Sequence, residues 1–198
     1  MHRSGTSWIG NVLGSGGGFT LKDEEIFNPS PLQLSCPISN SYEHICQENQ
    51  EHYARYVDDI LSNKDGYSFT YGLWRSRNIK DFGRTYKVKL RSLTRRLFLR
   101  SRQLILIEPL GLLSAEWISH RYGASVVVLI RHPAAITYSL KRLGWKFNYS
   151  NLLRQGVLTR TLLPGIELQL RENPPPEDIV GQIALLWRLM YGVVLNYQ

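Results

Sequence analysis

Two short apolar runs with a helix-like segment between them place the strongest constraint on how this chain folds. The runs are QLILI at 103–107 and SVVVLI at 125–130, and the segment between them, GLLSAEWISHRYG at 111–123, ends at a glycine. A strand, a helix of this length and a second buried strand predict one βαβ unit of a parallel sheet with a right-handed crossover. The expected fold class is therefore α/β.

Periodicity and capping signals predict further helices outside this unit. We expect helices over 6–13, 43–62 and 133–143, a mostly helical stretch over 151–171, and a last helix capped by Asp178. Pro133 suits the first turn of its helix because proline lacks the N–H that would be unbonded there. The proline-rich stretch 23–40 is expected to be a loop.

Length, charge and cysteine content narrow the class of protein. The 198 residues predict a single domain, 1–198, and the net charge of +8 indicates an anionic partner. Cys36 and Cys46 are too few for a disulfide framework and predict free thiols in a reducing cytoplasm. The longest apolar run, 179–195, contains Gln182 and Arg188, so we expect a buried helix and no membrane span.

The segment 75–102 holds much of the positive charge, with eleven lysines and arginines and one acid, Asp81. Part of it, 86–100, has the spacing of a basic amphipathic helix. Such a run is usually a solvated face. The alternative is a non-catalytic basic module that binds an acidic polymer or RNA through 75–102, although no RNA-binding motif with interleaved aromatic residues supports it.

HRSGTSWIG at 2–10 has the composition of a loop that holds phosphate before a helix. Gly5 permits close approach of the backbone, Thr6 and Ser7 offer hydroxyls, and Arg3 offers a forked cationic donor. The lysine of the common nucleotide-binding loop is absent from Gly5-Thr6-Ser7, which argues against a kinase or an ATPase. Ser-Gly-Thr-Ser is also ordinary turn chemistry, so the loop alone leaves both interpretations open.

A second segment, VVVLIRHPAAITYSLKRLGW at 126–145, carries Arg131 at the end of the predicted strand 125–130 and Ser139 eight residues later. In open parallel sheets, ligands bind at the carboxyl ends of the strands. An arginine and a serine in this arrangement therefore suggest a second anion-binding element at the edge where the first loop is expected.

Together these segments resemble the sulfotransferases that use 3′-phosphoadenosine 5′-phosphosulfate (PAPS). HRSGTSW is similar to their 5′-phosphosulfate loop and RHPAAITYS to their 3′-phosphate motif; EIFN at 25–28, PLGLLSAEW at 109–117 and RHP at 131–133 are similar to the bacterial type. The resemblance covers about residues 2–145. It implies a P-loop-type three-layer fold, a central parallel sheet flanked by helices, truncated here at both ends: the first strand and the C-terminal part of the family are expected to be missing.

The resemblance also implies roles for individual residues. It assigns Arg3 and Glu25 to catalysis, with Glu24 as the second candidate for the general base. The expected cofactor-binding residues are Arg3, Ser4, Gly5, Thr6, Ser7, Arg131 and Ser139. Some relatives carry a lysine just before the proline of the 103–109 region, where this chain reads Ile107-Glu108-Pro109.

The function expected from this resemblance is transfer of a sulfuryl group from PAPS to a hydroxyl or amine acceptor. The acceptor would be a carbohydrate or a small molecule, and the product of the cofactor would be adenosine 3′,5′-bisphosphate. No nucleic acid partner is expected. The five histidines have no metal-type spacing, so no metal is expected either.

Overall fold

The computed structural model describes residues 1–16, 18–24, 26–28, 36–62, 103–171 and 178–197, and within them the chain is mixed α/β. A small parallel sheet of two strands, β1 and β2, carries helices around it. The helices are α1 (Thr6–Ser15), α2 (Gln50–Leu61), a 3₁₀ turn (Gly111–Ser114), α3 (Ala115–Tyr122), α4 (Pro133–Arg142), α5 (Ser150–Leu153), α6 (Gly156–Thr161), α7 (Ile166–Arg171) and α8 (Ile179–Val194).

The two strands are far apart in the chain. β1 (Phe19–Asp23) pairs in parallel with β2 (Gln103–Ile107), so that Phe19 faces Gln103 and Asp23 faces Ile107. The prediction of a strand at 103–107 is confirmed. β1 was not predicted, because FTLKD is short and mixes polar with apolar residues.

The predicted second strand at 125–130 is wrong: these residues are not in a strand, so the βαβ unit predicted over 103–130 is absent. A strand exists only beside a partner that completes its ladder. Here the Leu129 carbonyl of the segment instead accepts a hydrogen bond from Tyr191 Oη of α8 at 2.8 Å. The carbonyl of Arg131, the residue after the segment, accepts one from Trp187 Nε1 of α8 at 2.9 Å. Val127 and Ile130 are exposed.

The predicted helix over 43–62 begins later than expected, at Gln50. Polar side chains in the preceding segment bond to nearby backbone groups and compete with a helix. The Glu43 carboxylate accepts the N–H groups of Ser39 and Asn40, and the Asn49 amide bridges the Cys46 N–H and the His44 carbonyl. The helix can start only after these bonds end.

The core forms where α4 and α8 pack together against the 3₁₀ turn and the segment 38–45. Ile136 and Leu140 of α4 are buried against the apolar side of α8. Asp178 caps α8 as predicted, its Oδ1 accepting the Gly181 N–H at 2.9 Å. None of the helices in the described part of the chain has the length and apolar character that crossing a membrane requires.

α1 packs directly on the sheet, and two glycines allow this close approach. A side chain on Gly10 would overlap Ile107, the last residue of β2, and one on Gly14 would come within 2.9 Å of Leu21 in β1. Since Ile107 is paired with Asp23, Gly10 is level with the ends of both strands. The first turn of α1 therefore projects beyond the carboxyl edge of the sheet.

Candidate functional site

The loop before α1 has the backbone shape of an anion-binding loop. Arg3 and Gly5 both adopt left-handed conformations, with φ of 63° and 98°. Gly5 is the N-cap of α1, and no side chain caps the helix there. The first N–H groups of a helix have no partner within it, so the N–H groups of Thr6 and Ser7 can bind an anion at this position.

Helix capping fixes where α4 begins within the segment 131–139. His132 is the N-cap, its Nδ1 accepting the Ala134 N–H at 3.2 Å, and Pro133 takes the first helical position. This geometry leaves Arg131 exposed just before the helix and Ser139 partly buried in its second turn.

Hydrogen bonds join these two segments. Arg3 Nε donates to Ser139 Oγ at 2.8 Å, and Arg131 Nη1 donates to the Arg3 carbonyl at 2.9 Å. The three residues come from the two separate motifs, and the structure brings them together at one place. Two guanidinium groups and a hydroxyl are therefore joined at the loop that precedes α1.

Aromatic side chains contact His2, the residue before Arg3 in this loop. The His2 N–H donates to Tyr42 Oη at 3.2 Å, and the His2 ring lies edge-on to Trp145 with centroids 5.9 Å apart. Burial, together with neighbouring positive charges that include Arg3, lowers the pKa of His2 to about 4, so this imidazole is neutral at pH 7. Burial also raises the pKa of Tyr191, opposed by hydrogen bonding to the Arg131 backbone and to Ser4.

The carboxylate candidates follow β1. Glu24 adopts a left-handed conformation with φ of 52°, donates its N–H to the Ile107 carbonyl at 2.9 Å and accepts a hydrogen bond from Asn28 Nδ2 at 3.2 Å. Burial and the charge of Asp23 raise its pKa, while the bond from Asn28 lowers it. Glu25, the first candidate for the base, lies outside the described residues, as does the basic segment 75–102.

Glu108 directly follows β2, and sequence reasoning missed its contacts. Its Oε1 accepts the Ile26 N–H at 2.7 Å and its Oε2 accepts the Phe27 N–H at 3.3 Å. The available signal was an acidic residue directly after a predicted strand. Such a residue lies at the edge where the loops meet.

Two exposed aromatic side chains beside the motifs were also missed. Trp8 follows Ser7 in the first turn of α1 and is 69% exposed, and Tyr138 precedes Ser139 in α4 and is 70% exposed. Large rings so open to solvent are uncommon, and they offer flat faces on which a base can stack.

A separate cleft of about 650 Å³ lies between 44–50 and α3, lined in part by His44, Cys46, Glu116 and His120. Its lining includes none of the expected catalytic or cofactor-binding residues. Among the described residues no cluster of three or more histidine, cysteine, aspartate or glutamate side chains could hold a metal ion.

Comparison of the chain with protein-family models, with curated proteins and with solved structures found no match. The resemblance to sulfotransferases therefore rests on the motifs themselves, and the geometry of the site is independent of it.

Proposed function

We propose that this chain is a PAPS-dependent sulfotransferase domain of the P-loop-type three-layer fold, acting on a hydroxyl or amine acceptor that is a carbohydrate or a small molecule. The observation that carries the proposal is the pair of hydrogen bonds from Arg3 to Ser139 and from Arg131 to Arg3. These bonds join two motifs that the resemblance assigns to the two ends of one nucleotide.

The site residues fit a nucleotide with two anionic ends. The loop from Arg3 to Ser7 offers a left-handed glycine and an uncapped helix end for one anion, and Arg131 with Ser139 offers a cation and a hydroxyl for the other. With Nε engaged by Ser139, the guanidinium of Arg3 still carries four N–H donors on its two terminal nitrogens. Trp8 is a candidate surface for the adenine ring.

Each residue then has a distinct role in transfer. PAPS supplies a sulfuryl group carried on its 5′-phosphate. Glu25, with Glu24 as the second candidate, takes the proton of the acceptor hydroxyl or amine as the new bond to sulfur forms. Arg3 and the N–H groups of the loop stabilise the negative charge that gathers on the departing phosphate.

The location proposed is the cytoplasm. Cys36 and Cys46 are both free thiols, as a reducing compartment would maintain them.

The test compares two nucleotides that differ only in the 3′-phosphate. Calorimetry on the full chain should give an affinity for adenosine 3′,5′-bisphosphate at least about tenfold higher than for AMP, because a charge-assisted contact contributes about 1.5–3 kcal/mol. Arg131→Ala should remove most of this difference. Arg142→Ala, at the far end of α4, is the matched control and should retain it.

Equal affinity of the parent chain for the two nucleotides would contradict the proposal. So would a preference for the bisphosphate that Arg131→Ala leaves intact. Product formation from PAPS with a mixed panel of hydroxyl and amine acceptors tests the transfer itself.

A further inference from the structure

A carboxylate outside the assigned motifs holds the turn that follows β1. Glu108 accepts two consecutive backbone N–H groups, those of Ile26 and Phe27, at 2.7 and 3.3 Å. An ionised acceptor makes stronger hydrogen bonds than a neutral one. The turn is therefore attached at its backbone to the residue that follows the neighbouring strand, β2.

Other contacts hold the same turn. The Ile26 and Phe27 side chains are fully buried, and the Ile26 carbonyl accepts a bond from Tyr56 Oη at 3.2 Å. Gly111 is part of this packing, because a side chain there would come within 2.9 Å of the Phe27 ring and 3.2 Å of Glu108 Cβ. The backbone at Ile26 and Phe27 is thus held by hydrogen bonds and by the packing of both side chains.

The turn lies at the edge of the sheet that carries the phosphate-type loop. Gly10 of α1 is level with the paired residues Asp23 and Ile107, so the loop before α1 and the residues after both strands lie beyond the same edge. Glu24 is in a left-handed conformation that residues other than glycine adopt rarely. Such a conformation persists only where surrounding bonds impose it.

We propose that Glu108 is a positioning residue: its carboxylate fixes the backbone at Ile26 and Phe27, and thereby the position of the turn that begins at Glu24, the second candidate for the general base. The role rests on the proposed function, but the attachment itself does not. Glu108 acts through the backbone of the turn and not on the acceptor or the nucleotide.

The experiment uses the full chain with Glu108→Ala, Glu108→Gln and a control, Glu167→Gln, which changes an exposed glutamate in α7. Amide hydrogen exchange is followed in a peptide covering 24–28, because exchange reports local opening of the backbone. In the same samples, calorimetry gives the affinity for adenosine 3′,5′-bisphosphate, and steady-state kinetics with PAPS give kcat and KM.

Glu108→Ala should speed exchange over 24–28 by at least about tenfold and lower kcat by about ten- to a hundredfold, the scale of a misplaced catalytic group. KM for PAPS and the affinity for the bisphosphate should change by less than about threefold, since neither anion-binding segment is touched. Glu108→Gln retains one oxygen acceptor and should recover part of both losses. Glu167→Gln should match the parent.

Unchanged exchange over 24–28 in Glu108→Ala would overturn the attachment. Faster exchange with unchanged kcat would overturn the positioning role. Faster exchange in Glu108→Ala, together with a parent chain that binds no bisphosphate and transfers no sulfuryl group, would keep the attachment and reject the proposed function. A variant that fails to fold is recognised by its circular dichroism, and Glu108→Gln then decides between these results.

Discussion

Arg3 Nε lies 2.8 Å from Ser139 Oγ, and this bond connects the loop before α1 to the middle of α4. The Arg3 carbonyl in turn accepts a bond from Arg131. One residue of the first motif is thus held by both residues of the second. In the proposed enzyme, the two ends of the nucleotide site are built as one unit.

From this arrangement we expect removal of the Arg3 side chain to affect kcat more than the affinity for the nucleotide. Arg3→Ala should lower kcat by at least about tenfold and weaken the affinity for adenosine 3′,5′-bisphosphate by less, because an interaction with charge that develops during transfer acts mainly on the transition state. Steady-state kinetics and calorimetry measure the two quantities. Arg154→Ala, an exposed arginine after α5, is the control, and an unchanged kcat in Arg3→Ala would remove Arg3 from the catalytic residues.

Gly5 tests whether the backbone of the loop matters. Its φ of 98° strains any L-residue, while a side chain would meet no atom within 4 Å, so conformation and not crowding makes glycine necessary. Gly5→Val should cost about 1–3 kcal/mol of local strain and abolish measurable binding of the bisphosphate. Gly16→Ala is the control, since Gly16 has φ of −68° and open space around it. Equal affinity in the two variants would show that the loop does not bind the nucleotide.

Two isosteric substitutions distinguish the two candidates for the general base. Glu25→Gln should retain binding of the bisphosphate and lower kcat by roughly a hundredfold or more, the usual effect of losing a general base. Glu24→Gln should have the smaller effect. The reverse result would transfer the role to Glu24, whose raised pKa and hydrogen bond from Asn28 make it the second candidate. If neither variant lowers kcat, the base lies elsewhere.

The burial of the His44 imidazole should make the stability of the fold depend on pH. Burial lowers its pKa from the ordinary 6.5, with smaller opposing effects from its bond to the Leu113 carbonyl and from Glu116 and Glu43. The unfolded chain therefore binds a proton here more readily than the folded one. This contribution to stability is complete above about pH 6.5 and is lost as the pH falls, by at most about 1.4 kcal/mol per pH unit for one proton.

His44→Asn keeps a donor near the Leu113 carbonyl but cannot titrate. Chemical denaturation between pH 7 and pH 5 should show a smaller loss of unfolding free energy in His44→Asn than in the parent. His120→Asn, in the cleft beside it, is the comparison variant. Identical pH dependence in the parent and in His44→Asn would contradict the prediction.

Local signals in the sequence were enough for several elements. The apolar run 103–107 forms β2, Pro133 begins α4, and Asp178 caps α8, because each depends on residues within a few positions of one another. The same holds for the candidate site: Arg3 to Ser7, Arg131 and Ser139 were identified from short motifs. A local sequence pattern could not show how these motifs lie relative to one another.

The sequence by itself determined an α/β chain, the positions of two motifs that are predicted to bind anions, and the acidic residues after β1. Tertiary structure decided that Phe19–Asp23 pairs with Gln103–Ile107, that 125–130 bonds to α8 instead of forming a strand, and that Glu108 accepts the N–H groups of Ile26 and Phe27. The physical reason is that a ladder or a long-range hydrogen bond needs two partners. The local sequence around one partner is the same whether or not the other partner is present, so it cannot show that the bond forms.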